Sequence, residues 1–94
     1  MFRIGLKSEA VRDLKRIKRH HAAAILDAIE RHLADEPERV TGRTIKRLRG
    51  RQRAVFRLRV ADYRVFYDVV EDQVEIVRIL HKSETKSFYE EVRR

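Results

Sequence analysis

The sequence predicts an α+β domain in which helices pack against a small, mostly antiparallel sheet. Three observations predict it. Residues 55–80 alternate apolar and polar side chains with a period of two, broken only by two-residue interruptions. Residues 10–33 carry apolar side chains at helical spacing instead. A final segment places Phe88 and Val92 four residues apart, on one face of a short helix. The expected order is β-α-α-β-β-β-α, with residues 1–94 forming a single domain.

Phe2 to Leu6 alternates Phe2, Ile4 and Leu6 and reads as an opening strand. Ser8 is the expected N-cap of the first helix, with Glu9 placed to favour the helix dipole. Ala10, Val11, Leu14 and Ile17 form its apolar stripe. A second stripe, Ala22, Ile25, Leu26, Ile29 and Leu33, ends before Pro37. The two stripes are out of phase near His20-His21, which predicts two helices in an antiparallel hairpin on the sheet. Val40 to Arg53 reads as a basic, irregular connection anchored by Ile45 and Leu48. Strands are then expected over Val55–Val60, Tyr63–Val70 and Gln73–Leu80. The breaks Ala61-Asp62 and Glu71-Asp72 are too short for anything but hairpins. Ser83 is the expected cap of the last helix.

The chain has no cysteine, hence no disulfide framework and no thiolate metal site, and a reducing cytoplasm is the expected home. No long apolar run suggests a signal peptide or a membrane span. Charged residues make up 40% of the sequence, with a net charge of +8. Residues 43–64 hold nine Lys or Arg and a single acid, Asp62, so the whole positive excess lies in that segment. Such a concentration is the footprint expected of a polyanion-binding surface; a solvated basic loop or an acidic protein partner would leave the same mark.

Within that segment, Arg57, Arg59 and Arg64 sit inside predicted strands. No phosphate-binding glycine loop, metalloprotease helix or hydrolase elbow is present. His20, His21, His32 and His81 lack ligand spacing, and the acids do not cluster as a two-metal site requires, so neither metal nor cofactor is expected. What remains is metal-free phosphate chemistry. RNA cleavage through its own 2′-OH needs removal of that proton, stabilisation of charge on phosphorus oxygens, and protonation of the 5′-oxygen. Strand-borne arginines suit the second task, because guanidinium stays charged and forks onto phosphate. Tyr89, His81 and Lys82 are the candidates for exchanging protons. Tyr63 and Tyr67 read as packing residues, and Arg59 has the alternative role of blunting a sheet edge.

The runs KRLRGRQRAVFRLRVADYRVFYDV and IVRILHKSETKSFY resemble the RelE/ParE superfamily of type II toxin–antitoxin toxins. The matching pieces are Leu48-Arg49-Gly50, the hairpin Arg57 to Tyr67, and His81-Lys82 followed by Tyr89. The RelE branch implies a metal-independent, ribosome-dependent endoribonuclease that cuts mRNA. Whichever activity the chain has, its basic face is expected to be covered, when the protein is idle, by an acidic or amphipathic antitoxin segment. By position, Arg57 and Arg64 inherit charge stabilisation, and Tyr89 inherits base stacking or proton transfer. The first of the family's paired basic strand residues falls at Val55, leaving Arg53 or Arg59 in its place. The arginine implied as leaving-group acid falls near Ser83, leaving Lys82 or His81. Arg57, Arg64, Lys82 and Tyr89 are thus the expected catalytic set. Arg47, Arg49, Arg51, Arg53, Arg59 and His81 are the expected RNA contacts. The ParE branch implies a DNA gyrase poison on the same fold, and a catalytically silent RNA- or protein-binding module is the third alternative.

Overall fold

A computed structural model describes residues 1–48 and 55–93. The elements are β1 (Arg3–Leu6), α1 (Ser8–Arg16), α2 (Arg19–Leu33), β2 (Ile45–Leu48), β3 (Val55–Val60), β4 (Tyr63–Val70), β5 (Gln73–His81), a 3₁₀ turn (Lys82–Glu84) and α3 (Lys86–Arg93). They build the predicted α+β arrangement around one five-stranded sheet of order β1-β5-β4-β3-β2. β1 pairs parallel with β5; the other pairings are antiparallel.

The alternation in residues 55–80 becomes two faces. Phe56, Leu58, Val65, Tyr67, Val74, Ile76 and Ile79 bury against Ala10 of α1 and Ile25, Ile29 and Leu33 of α2. The opposite face buries Val55, Phe66 and Leu80 under Phe88 of α3. A bulge opposite Phe66 and Tyr67 adds one residue, Val77, to β5. It lets Ile76 and Ile79, three apart, share a core that strict alternation would divide between the faces.

The helix hairpin forms as expected, because α1 leaves the end of β1 toward the His81 end of β5 and α2 returns. His21 at the start of α2 lies 5.8 Å, ring to ring, from Tyr63, while the carbonyl of Ala34 at its end accepts from Phe2 N–H. The break falls at Ile17–Lys18, slightly before the phase slip. Leu26 of the expected stripe is 44% exposed, and Ala28 is buried instead. Ser8 is the first helical residue rather than the cap; Lys7 holds that position without a side-chain bond. Ser83 lies in the 3₁₀ turn, so α3 starts two residues later than a Ser83 cap implies.

The segment read as irregular contains a strand. β2 pairs with β3 in register Ile45↔Leu58 through Leu48↔Val55. The loop before it is shaped by Gly42, whose φ of +84° favours glycine, and by Thr41 Oγ1, which accepts from Thr44 and Ile45 N–H. Both hairpin turns start on a left-handed residue, Ala61 (φ 52°) and Glu71 (φ 57°).

One charged residue belongs to the core. β1 ends at its pairing of Leu6 with Ile76, so the outer edge of β5 beyond that point needs another partner. Asp13 of α1, 5% exposed, accepts from Ile79 N–H at 2.9 Å and from Arg78 Nε and Nη2 at 2.8 and 3.1 Å. Its carboxylate thus satisfies an edge amide and a strand arginine together.

Candidate nucleic-acid interface

The α3 face of the sheet carries the arginines. Alternation puts Arg57, Arg59 and Arg64 on the side of Val55 and Phe66, away from the helix hairpin. Arg59 is the cross-strand partner of Arg64, and Arg57 the partner of Phe66. Lys46 on β2 pairs with Arg57 and joins the same face. Like charges set directly opposite cost stability, and none of these three arginines has an ion-paired carboxylate among the described residues.

Each arginine is held differently. Arg64 Nη1 donates to the carbonyls of Ala61 and Tyr63 at 3.0 and 2.9 Å, fixing its guanidinium beside the β3–β4 turn. Partial burial, then the neighbouring Arg59 and Arg57 charges, pull its pKa below the ordinary arginine value; Tyr89 and Asp62 oppose that shift. Arg57 donates from Nη2 to the Arg43 carbonyl at 2.8 Å, while its Nε is buried with no partner among the described residues. Arg59 is exposed. The facing cations, and a buried N–H without a partner among the described residues, are costs to the free fold.

α3 brings the tyrosine to this face. Phe88 packs on Phe66 with ring centroids 4.3 Å apart, which seats the adjacent turn of helix. Tyr89 then meets the same Phe66 edge-on at 5.5 Å. Between β2 and α3 runs a groove of about 590 Å³ lined by Lys46, Arg47, Leu48, Tyr89, Val92 and Arg93. Among the described residues, its lining holds three cations, an aromatic ring and no carboxylate. Arg47, opposite Phe56 in register, reaches this groove from the outer edge of the sheet.

The sequence-predicted residues therefore divide. Arg57, Arg59, Arg64 and Tyr89 share one face, and Arg47 borders it. Arg49, Arg51 and Arg53 lie outside the described residues. Lys82 stands at the hairpin tip, its Nζ 3.4 Å from Asp62 and its N–H bonded to the Asp62 carbonyl. His81 faces the other way: it is the cross-strand partner of Tyr63, their rings meeting at 90° and 5.4 Å. Its Nδ1 accepts from Ser83 N–H and lies 2.8 Å from Ser83 Oγ, so it caps the 3₁₀ turn. Lys46, counted in the basic segment but not among the expected RNA contacts, and Arg93, which no sequence pattern singles out, join the site. A strand assignment for residues 45–48 would reveal Lys46, since alternation then aligns it with Arg57. Among the described residues, no cluster of three His, Cys, Asp or Glu is placed to hold a metal ion. No helix among them is long and apolar enough to cross a membrane.

Comparison with known proteins agrees with this architecture. No curated protein sequence shows significant similarity to the chain. Among solved structures, a chain of the RelBE2 toxin–antitoxin complex from Mycobacterium tuberculosis superposes with a TM-score of 0.68 at 26% identity, covering 85% of this chain and 96% of that one. The RelB–RelE antitoxin–toxin complex of Methanococcus jannaschii gives 0.67 at 24%, covering 88% and 95%. The E. coli toxin RelE, as a mutant in the free state, gives 0.57 at 15%, covering 97% and 93%. The last two show likeness of fold. The family model for the ParE toxin of the type II toxin–antitoxin system parDE matches residues 4–85, nearly the whole folded unit. A five-stranded, mostly antiparallel sheet with helices and a C-terminal helix is thus the frame of a known group: the chain belongs to the RelE/ParE family of type II toxin–antitoxin toxins.

Proposed function

We propose that this toxin cleaves messenger RNA at the ribosome, using the arginine face as its phosphate site. The observation that carries this reading is the Arg59–Arg64 cross-strand pair with Arg57 beside it, an arrangement that is repulsive until an anion lies between the guanidinium groups. In the reaction, the 2′-oxygen loses its proton and bonds to phosphorus. The bond from phosphorus to the 5′-oxygen breaks and that oxygen takes up a proton, leaving a cyclic phosphate and a free 5′-OH. Arg57, Arg59 and Arg64 stabilise the charge that grows on the non-bridging oxygens. Tyr89, within electrostatic reach of Arg64, is the group we assign to proton transfer, with Lys82 behind it at the hairpin tip.

The second reading, poisoning of DNA gyrase, is supported by the family model itself, which describes ParE toxins. The discriminating experiment incubates the purified protein with programmed ribosomes and, in parallel, with gyrase and supercoiled DNA. Cut mRNA that disappears in Arg57→Ala and Arg64→Ala supports the first reading. Cleaved-DNA complexes with intact mRNA overturn it in favour of the second.

In either case the partner is expected to be an antitoxin, as in the RelBE2 complex. An acidic or amphipathic segment laid over Arg57, Arg59 and Arg64 would neutralise the facing charges. Competition between that segment and a single-stranded RNA for the free toxin checks this arrangement; simultaneous binding of both refutes it.

A further inference from the structure

A second groove, also of about 590 Å³, lies on the opposite side of the hairpin tip between α1, the end of β5 and α3. Three aromatic rings form part of its lining: Tyr63 stands 5.4 Å from His81 and 5.8 Å from His21, each measured between ring centroids. The metal-free RNA chemistry proposed above has no use for these rings. We propose that this groove is a base-binding subsite for the nucleotide flanking the one held on the arginine face. The proposal rests on the reading of that face as an RNA interface.

Charge decides between a base and a phosphate as occupant. Among the described residues, the charged groups lining the groove between β2 and α3 are all cations, as a phosphate path requires. Here Asp13 and Arg78 satisfy each other, and Arg16 and Lys18 are balanced by Glu84 and Glu91. A neutral lining with polar edges repels no base and attracts no phosphate. His81 fits the same assignment: Nδ1 accepts the Ser83 N–H, which fixes the ring as an aromatic surface beside Tyr63. Rings stacked by bases tolerate any sequence, since every base has a π-face.

The two surfaces are contiguous. Tyr63 and Arg64 are consecutive in β4, so their side chains leave opposite faces of the strand. The Arg64 guanidinium folds back onto the Tyr63 and Ala61 carbonyls, which puts its charge at the turn where one face gives way to the other. Asp62, the acid at that turn, is engaged by Lys82. A single strand whose phosphates lie on Arg59 and Arg64 therefore reaches the hairpin tip with its next base beside Tyr63.

The test uses full-length protein and single-stranded RNA oligonucleotides made uncleavable by 2′-O-methylation, with an abasic residue walked along the chain. One position outside the stretch sensitive to Arg59→Gln is expected to lose about fivefold or more in affinity when its base is removed. That penalty is expected to vanish in Tyr63→Leu and in His21→Ala, while the remaining affinity persists. His21 is exposed, so its variant keeps the test clear of folding effects. A flat abasic profile outside the arginine-dependent stretch, or an undiminished penalty in both variants, overturns the subsite and leaves the arginine face standing. Failure of the wild-type protein to bind RNA at all overturns the parent reading, and the subsite with it.

Discussion

Arg59 and Arg64 stand directly opposite each other across the β3–β4 hairpin, two cations of one sheet face. The pair weakens the free fold and strengthens its hold on an anion. Arg59→Gln is therefore expected to stabilise the free protein by a few tenths of a kcal/mol, after allowing for solvent screening. It is also expected to reduce toxicity and RNA affinity. Arg64→Gln lacks the first effect, because it also gives up two hydrogen bonds to the turn. Chemical denaturation beside a growth assay measures both; a destabilised Arg59→Gln would contradict the account.

If phosphates occupy this face, affinity must fall with salt. Each phosphate neutralised on a single strand contributes a slope of about 0.7 in log–log form. Single substitutions at Arg57 and Arg59 are each expected to flatten the slope by roughly that amount. Binding isotherms between low and moderate salt give the comparison, and parallel slopes for wild type and variants would exclude direct phosphate contacts.

Asp13 is buried with the Ile79 amide and the Arg78 guanidinium as its partners. Arg78 is held above its ordinary pKa mainly by the hydrogen bond to Asp13, so the guanidinium stays charged across the accessible pH range. Asp13→Ala strands the Ile79 N–H, leaves Arg78 only its 3.9 Å contact with Glu9, and is expected to cost about 3 kcal/mol. The Asp13→Ala, Arg78→Met double variant is expected to recover a large part of that loss. Urea melts of the three proteins decide whether the pair is a structural lock or a dispensable contact.

Phe88 anchors an eight-residue helix that is too short to persist alone. Phe88→Ala is expected to release α3 while leaving the sheet intact. Hydrogen exchange should then show protection lost over residues 86–93 and kept in β3–β5. Activity should fall with it, because Tyr89 leaves the arginine face.

Tyr67 donates its hydroxyl to the Pro37 carbonyl from inside the core, and burial raises its pKa well above the ordinary phenol value. Above a pH of about 10 the unfolded chain ionises this phenol while the folded chain keeps it neutral. The native state then binds more protons, and its stability falls as pH rises, by up to about 1.4 kcal/mol per pH unit from this group. Tyr67→Phe is expected to be about 1 kcal/mol less stable at neutral pH, from the lost hydrogen bond, yet to decline less steeply in alkali. Stability curves from neutral pH into the alkaline range would show the two lines converging.

Much of this is legible in the sequence because alternation encodes both faces of a strand. Placing Phe56 and Leu58 in the core places Arg57 and Arg59 on the opposite side, and Phe88 with Val92 announces a docking helix. β2 is hidden because four residues, two of them Lys46 and Arg47, are too few to show a period. The Asp13–Arg78 pair joins residues 65 apart, beyond the reach of any local pattern. The bulge at Val77 is equally silent, although it decides which side chains of β5 share a core. Adjacency to Lys82 groups His81 with the basic site in sequence; the Tyr63 register turns it to the other face.

The parallel pairing of β1 with β5 has a kinetic meaning. Arg3 meets Gln73, about seventy residues along the chain, whereas β2 through β5 are joined by successive short-range hairpins. Loop-closure entropy favours the hairpins first and makes the first strand one of the last pieces to settle. A refolding chain thus assembles its arginine surface while the apolar underside still waits for the two N-terminal helices. Any chain caught with its helices undocked would carry that cationic surface, and mutual repulsion between such chains would help keep them apart until the cover closes.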